Sequence, residues 1–210
     1  MKRRVFSLFL ALILVLGGVT PLGAPGGTAQ AAAFRDVSSG AWYADYVRRA
    51  SEEGLMAGTS EDRFSPDTTL TRAMFVTILG RLHQVDPDDY RQSTAFVDAP
   101  KDSWYGPYVN WASQHDIVSG YGTWTFGSDD PITREQMASI LARYLEFLDV
   151  ELPDGEDTVS SFRDSGKVSN WARQGVELMR RTGILAGDQN RNFRPGATAL
   201  RSEAATLLCA

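Results

Sequence analysis

Residues 34–74 read FRDVSSGAWYADYVRRASEEGLMAGTSEDRFSPDTTLTRAM, and the chain writes this pattern three times. Aligned on Trp42, Trp104 and Trp171, the copies carry Val47, Val109 and Val176 five positions on. Gly54, Asp116 and Gly183 stand twelve on, and Gly58, Gly120 and Gly187 sixteen on. Phe64, Phe126 and Phe193 follow at twenty-two, then Arg72, Arg134 and Arg201 at thirty, with no gap in any copy. Upstream, Phe-x-Asp recurs as Phe34/Asp36, Phe96/Asp98 and Phe162/Asp164. Self-similarity at a fixed register marks a repeat architecture.

Each copy predicts the same elements. An extended Phe-x-Asp lead-in precedes an amphipathic helix, as in AWYADYVRRASEEG, where Trp42, Tyr46, Val47 and Ala50 share one face. Gly54 and Gly183 suit the left-handed position after that helix, and Asp116 suits it less well. A Gly-rich loop runs on to the Phe, and a second helix begins at the Arg. Two short helices cannot bury both apolar faces alone, so the copies must pack on one another. The expected fold is mainly α: three tandem helix–loop–helix repeats, at 34–83, 96–148 and 162–210, packed as a pseudo-threefold, three-lobed module with helices at the centre. An open solenoid is the second choice. The register gives Cys209 a small packing position, matching Gly80 and Ala142, and leaves the last helix looking clipped.

Residues 1–33 read as a secretory signal peptide: MKRR, then the apolar run VFSLFLALILVLGGV, then Ala-x-Ala sites ending at Ala31 and Ala33. Of 21 basic and 26 acidic residues, the leader holds three basic ones and no acid. The acidic remainder argues against nucleic acid as a partner. No other stretch approaches membrane-spanning length, so no membrane span is expected after cleavage. The single cysteine excludes an internal disulfide.

The second helix of copy two starts with PITREQMASI, residues 131–140. Thr133 and Gln136 make a capping box, which leaves the cation Arg134 in a first turn whose dipole prefers an acid. One explanation is a ligand: a helix start offers unpaired N–H groups, and an Arg beside it adds a fork for a carboxylate or phosphate. The other is a structural pairing with a nearby acid such as the Phe-x-Asp aspartate. The caps differ, because copy one has Met74 at the acid position and copy three has Leu200 in place of Thr. The helix starts are therefore expected to be unequal, and Arg134→Ala to weaken anion binding most.

The motifs FRDV…WY…GLMAG…FSPDTTLTRAM, FVDA…WY…DIVSG…FGSDDPITREQ and FRDS…WA…GILAG…FRPGATALRSE resemble the S-layer homology (SLH) domain family across nearly the whole mature chain. That resemblance implies a three-lobed module that holds exported proteins non-covalently on the cell envelope. Such modules bind secondary cell-wall polysaccharide or a peptidoglycan-linked polymer, often pyruvylated, in grooves between lobes. It also implies a binding role for Arg72, Arg134 and Arg201, beside Thr71 and Thr133.

Around these arginines, Asp36, Asp98 and Asp164 could accept sugar hydroxyls, orient the Arg, or cap the following segment. Trp42 and Trp104 could stack on sugar rings or act as core wedges. Trp124 has no aromatic counterpart in the other copies. Gly58, Gly120 and Gly187 could admit a ligand to the backbone or simply serve the turn. Asp188 opens DQNRN like a calcium loop, but Phe193 and Ala199 stand where glycine and the bidentate Glu are needed. No metal or other cofactor is expected, and neither a nucleophile elbow, a phosphate loop nor a zinc helix is present to suggest catalysis. Two other functions stay open: a targeting module of a larger envelope enzyme whose cargo or catalytic domain follows residue 210, and a protein–protein assembly module.

Overall fold

The computed structural model describes residues 34–92, 95–150 and 161–209, so the leader lies outside it. Among the described residues there are six α-helices, two per repeat, and no strand beyond isolated bridges. They are α1 (Ala44–Glu52), α2 (Arg72–Leu82), α3 (Gly106–Gln114), α4 (Arg134–Phe147), α5 (Arg173–Thr182) and α6 (Arg201–Cys209). The tandem helix–loop–helix expectation holds. As expected, the first helix of each repeat ends on a left-handed residue: Gly54 (φ 69°), Asp116 (φ 57°) and Gly183 (φ 73°).

The chain divides into two compact units. The first holds the described residues up to Thr68, residues 81–83, and the described residues from Leu200 onward. Here α1 packs on α6, and Val47, Ala50, Ala204, Ala205 and Leu208 are buried. Cys209 is buried too, as its register suggested, and burial pushes its thiol up to about 11, with Glu53 adding to the rise and Arg49 opposing it. After α1 the chain turns so that the Leu55 and Met56 amides both donate to the Ala50 carbonyl, and Arg81 Nη1 donates to the Leu55 carbonyl.

The second unit holds residues 69–80 and 84–199. Its closest helix pair is α4 with α5, made possible by Gly175: a Cβ there would sit 2.8 Å from Ser139 Cα. Trp111 and Tyr144 are fully buried, their rings 6.2 Å apart, and Phe147 packs edge-on to Trp111 at 6.1 Å. These aromatics supply a large share of the apolar burial that offsets the cost of ordering short helices.

At the heart of this unit the segments leading into the second helices meet in a ring. Leu70 N–H donates to Ala199 O (2.8 Å), Ala199 N–H to Ile132 O (3.1 Å), and Ile132 N–H to Leu70 O (2.9 Å). Each member stands at the same register position of a different copy, and all three are buried. The ring is closed: every donor and acceptor in it is used once.

Candidate functional site

The helix starts are built alike. Thr133 caps α4 in the expected capping box, its hydroxyl accepting from Gln136 N–H while Gln136 Oε1 accepts from Thr133 N–H. The outer copies keep half a box each: Thr71 Oγ1 accepts from Met74 N–H (3.2 Å), and Glu203 Oε2 accepts from Leu200 N–H (2.8 Å). Both threonine hydroxyls are thus committed to helix ends.

The first two amides of each helix are also occupied, which corrects the expectation of open anion-binding helix starts. Arg72 and Ala73 N–H donate to Asp130 and Ser128 O; Arg134 and Glu135 N–H to Ala197 and Pro195 O; Arg201 and Ser202 N–H to Thr68 and Pro66 O. A turn of loop backbone, supplied by another part of the repeat array, fills the place an anion would take.

The arginines follow the same logic. Arg72 Nε donates to Phe126 O (3.0 Å) and Nη2 to Ser119 O (3.1 Å). Arg134 does the same to Phe193 O (2.7 Å) and Ala186 O (2.8 Å), and Arg201 to Phe64 O (3.0 Å) and Ala57 O (2.6 Å). Each guanidinium lies over the ring of that same Phe, at 4.5 Å, 5.0 Å and 4.6 Å. Backbone carbonyls of the Gly-rich loop hold all three side chains, and this gives a structural reason for a cation in the first turn: it is a clamp whose charge strengthens hydrogen bonds in a low dielectric.

The Phe-x-Asp carboxylates grip the same loops from the donor side instead of capping the following segment. Asp36 accepts from Phe64 and Ser65 N–H, Asp98 from Phe126, Gly127 and Ser128 N–H, and Asp164 from Phe193 and Arg194 N–H. Burial works to raise Asp36 and Asp98, yet these amides outweigh it and hold both carboxyls below the ordinary range. Every loop Phe therefore has its N–H on an Asp and its carbonyl on an Arg.

Gly58, Gly120 and Gly187 answer to packing and not to a left-handed turn. A Cβ at Gly120 would lie 2.3 Å from Thr125 O and 2.6 Å from Phe96 Cε1, and Gly58 and Gly187 meet Phe34 and Phe162 in the same way. Gly120→Ala is accordingly expected to cost about 1–3 kcal/mol, since backbone and a buried ring must both yield. A urea melt checks it, and an unchanged midpoint would refute the packing account. Asp188 accepts from Asn190 and Asn192 N–H and pairs with Arg194 (2.7 Å).

Trp42 and Trp104 are not core wedges. Trp42, Trp104 and Trp171 are 64%, 55% and 58% exposed, and Trp124 is exposed at a loop tip. Trp42 and Trp104 each meet the following tyrosine edge-on, at 5.3 Å and 5.1 Å.

Within the second unit one of these exposed rings borders a cavity of about 510 Å³. Arg72 closes one side with the loop Ser119, Gly120 and Tyr121; Gln136, Ser139, Ile140 and Arg143 of α4 close another, and Trp171 stands at the rim. Tyr121 stacks on Arg72 at 4.7 Å and accepts a hydrogen bond from Gln136 Nε2 (3.2 Å). Ser119 is held twice, its carbonyl by Arg72 and its hydroxyl by Arg143 Nη1 (3.1 Å). Two cations and no carboxylate wall this space. A smaller hollow of about 320 Å³ in the third repeat has mixed charge, with Glu177 paired to Arg180. The first cavity thus collects Arg72 and Gly120 from the expected set, whereas Arg143, Tyr121, Gln136 and Trp171 were not among the expected site residues. Trp171 was within reach, being the third member of the tryptophan register.

The S-layer homology domain model matches residues 33–74, 95–138 and 161–205. The chain is 29% identical, over 83% of its length, to an amylopullulanase of Thermoanaerobacterium thermosulfurigenes, of which it covers 9%. It is 25% identical over 98% of its length to an S-layer protein of Bacillus thuringiensis subsp. finitimus, covering 24% of it. Against a cellulosome-anchoring protein of Acetivibrio thermocellus it is 26% identical over 69% of the chain and 32% of that protein. The chain therefore spans a third or less of the length of these relatives. Among the described residues no helix is long and apolar enough to cross a membrane. With three tandem matches in register, the chain belongs to the S-layer homology domain family, whose modules hold exported proteins at the cell envelope.

Proposed function

We propose that this module attaches its protein to the envelope by seating an anionic secondary cell-wall polysaccharide in the cavity between Arg72, Arg143 and Trp171, and that it performs no chemistry of its own. One observation carries this reading: a cavity of about 510 Å³ walled by two guanidiniums and no acid, with an indole more than half exposed at its rim. Guanidinium donors suit a carboxylate or phosphate, and a flat indole suits the apolar face of a sugar. Its size falls in the range of small-ligand sites. The cavity stands at the Arg72 register, so binding is assigned there in preference to Arg134.

The test is co-sedimentation of the mature protein with purified cell walls. Binding is expected to saturate and to be lost when the acidic polymer, or its acidic substituents alone, are stripped from the walls. Retention on fully stripped walls would overturn the proposal. That the relatives include an amylopullulanase, of which this chain matches 9%, favours a second role of the same module: targeting a larger enzyme to the surface.

A further inference from the structure

The two arginines of the cavity are not equivalent. Arg72 is 4% exposed, spends Nε and Nη2 on backbone carbonyls, and is sandwiched between Tyr121 and Phe126. Its charge is also partly answered by Asp130 and Asp98. Arg143 sits on α4, half-buried, and makes one hydrogen bond, to the Ser119 hydroxyl, with no carboxylate in ion-pair range among the described residues. A guanidinium has five N–H donors, so most of its capacity faces the cavity unspent. On the same helix Glu135 is occupied by the amide and hydroxyl of Ser169, both at 2.9 Å, and Glu146, three residues beyond Arg143, is exposed and makes no ion pair with it.

The repeat supplies an internal control. At the position of Arg143, copy one has Arg81, which donates to the Leu55 carbonyl and does not line this cavity, and copy three has Ala210. At the positions of Tyr121 and Gln136, copy three has Asp188 and Glu203. Of the residues at this register position, Arg143 is the one that lines the acid-free cavity.

We infer that Arg143 is the specificity residue that reads the negative charge of the glycan, while Arg72 positions the loop on which the sugar rests. This rests on the function proposed above and assigns the charge recognition within it. The full chain is titrated with purified wall polysaccharide before and after removal of its acidic substituents. The wild type is expected to favour the acidic form; Arg143→Gln should cut affinity for that form about tenfold or more, collapsing the preference toward one. Arg143→Lys, which keeps charge without the planar fork, should recover part of it. Thermal unfolding of Arg143→Gln should match wild type, which separates a charge-reading role from a structural one. If Arg143→Gln keeps the wild-type preference, the assignment to Arg143 is wrong though the module still binds. If the wild type itself shows no preference or no binding, the proposed function falls and this inference with it.

Discussion

Arg72→Ala is expected to destabilise the module by about 3–5 kcal/mol, the range of the largest single-residue losses in folded domains. Truncation removes two charge-assisted hydrogen bonds, each worth about 1.5–3 kcal/mol. It also strands the Phe126 and Ser119 carbonyls, and it takes a cation from between two rings. Arg72→Lys should recover little, because an ammonium cannot span both carbonyls or stack on both faces. Denaturant unfolding of the two variants decides the matter. A loss below about 1 kcal/mol for the alanine variant would mean the loop is held by something else.

Asp98→Ala should follow closely, with a loss of about 2–3 kcal/mol. Three amides, of Phe126, Gly127 and Ser128, would lose a charged acceptor, and the partial exposure of the site lets water recover some of that. The pH dependence has a definite sign. Burial pushes the Asp98 carboxyl up and the three amides pull it down further, leaving it below its unfolded value. Its contribution is therefore complete above the unfolded value of about 3.9 and is lost as pH falls through the lower folded value. Asp36, depressed by the Phe64 and Ser65 amides against its burial, acts in the same window and sense. The urea midpoint should be flat between pH 5 and 7 and drop on acidification, and Asp98→Asn should make that drop shallower. An equally steep acid limb in the asparagine variant would remove Asp98 from the account.

Much of the local structure could be read from the chain itself. The triplicated register placed the helices, the left-handed residues after the first ones, and the complete cap of copy two beside half caps at Thr71 and Glu203. These features depend on neighbours within a few positions. The site was less legible because its partners come from other repeats. Nothing near Arg72 in the chain says that its hydrogen bonds end on Phe126 and Ser119, and nothing near Asp98 says that its carboxylate collects amides some thirty residues on. Trp42 and Trp104 stayed ambiguous in the chain, since an aromatic at a repeated position is as consistent with core as with an exposed rim. In the chain Arg143 is one more cation in the second half of a helix, and only its place on the cavity wall beside Ser119, seen in three dimensions, sets it apart.

The ring joining Leu70, Ile132 and Ala199 also governs when the module can come into being. Its three members come from three different repeats, so no fragment that stops before Ala199 can close it. A polypeptide cut after the second repeat would leave the Leu70 amide without its acceptor and the Ile132 carbonyl without its donor.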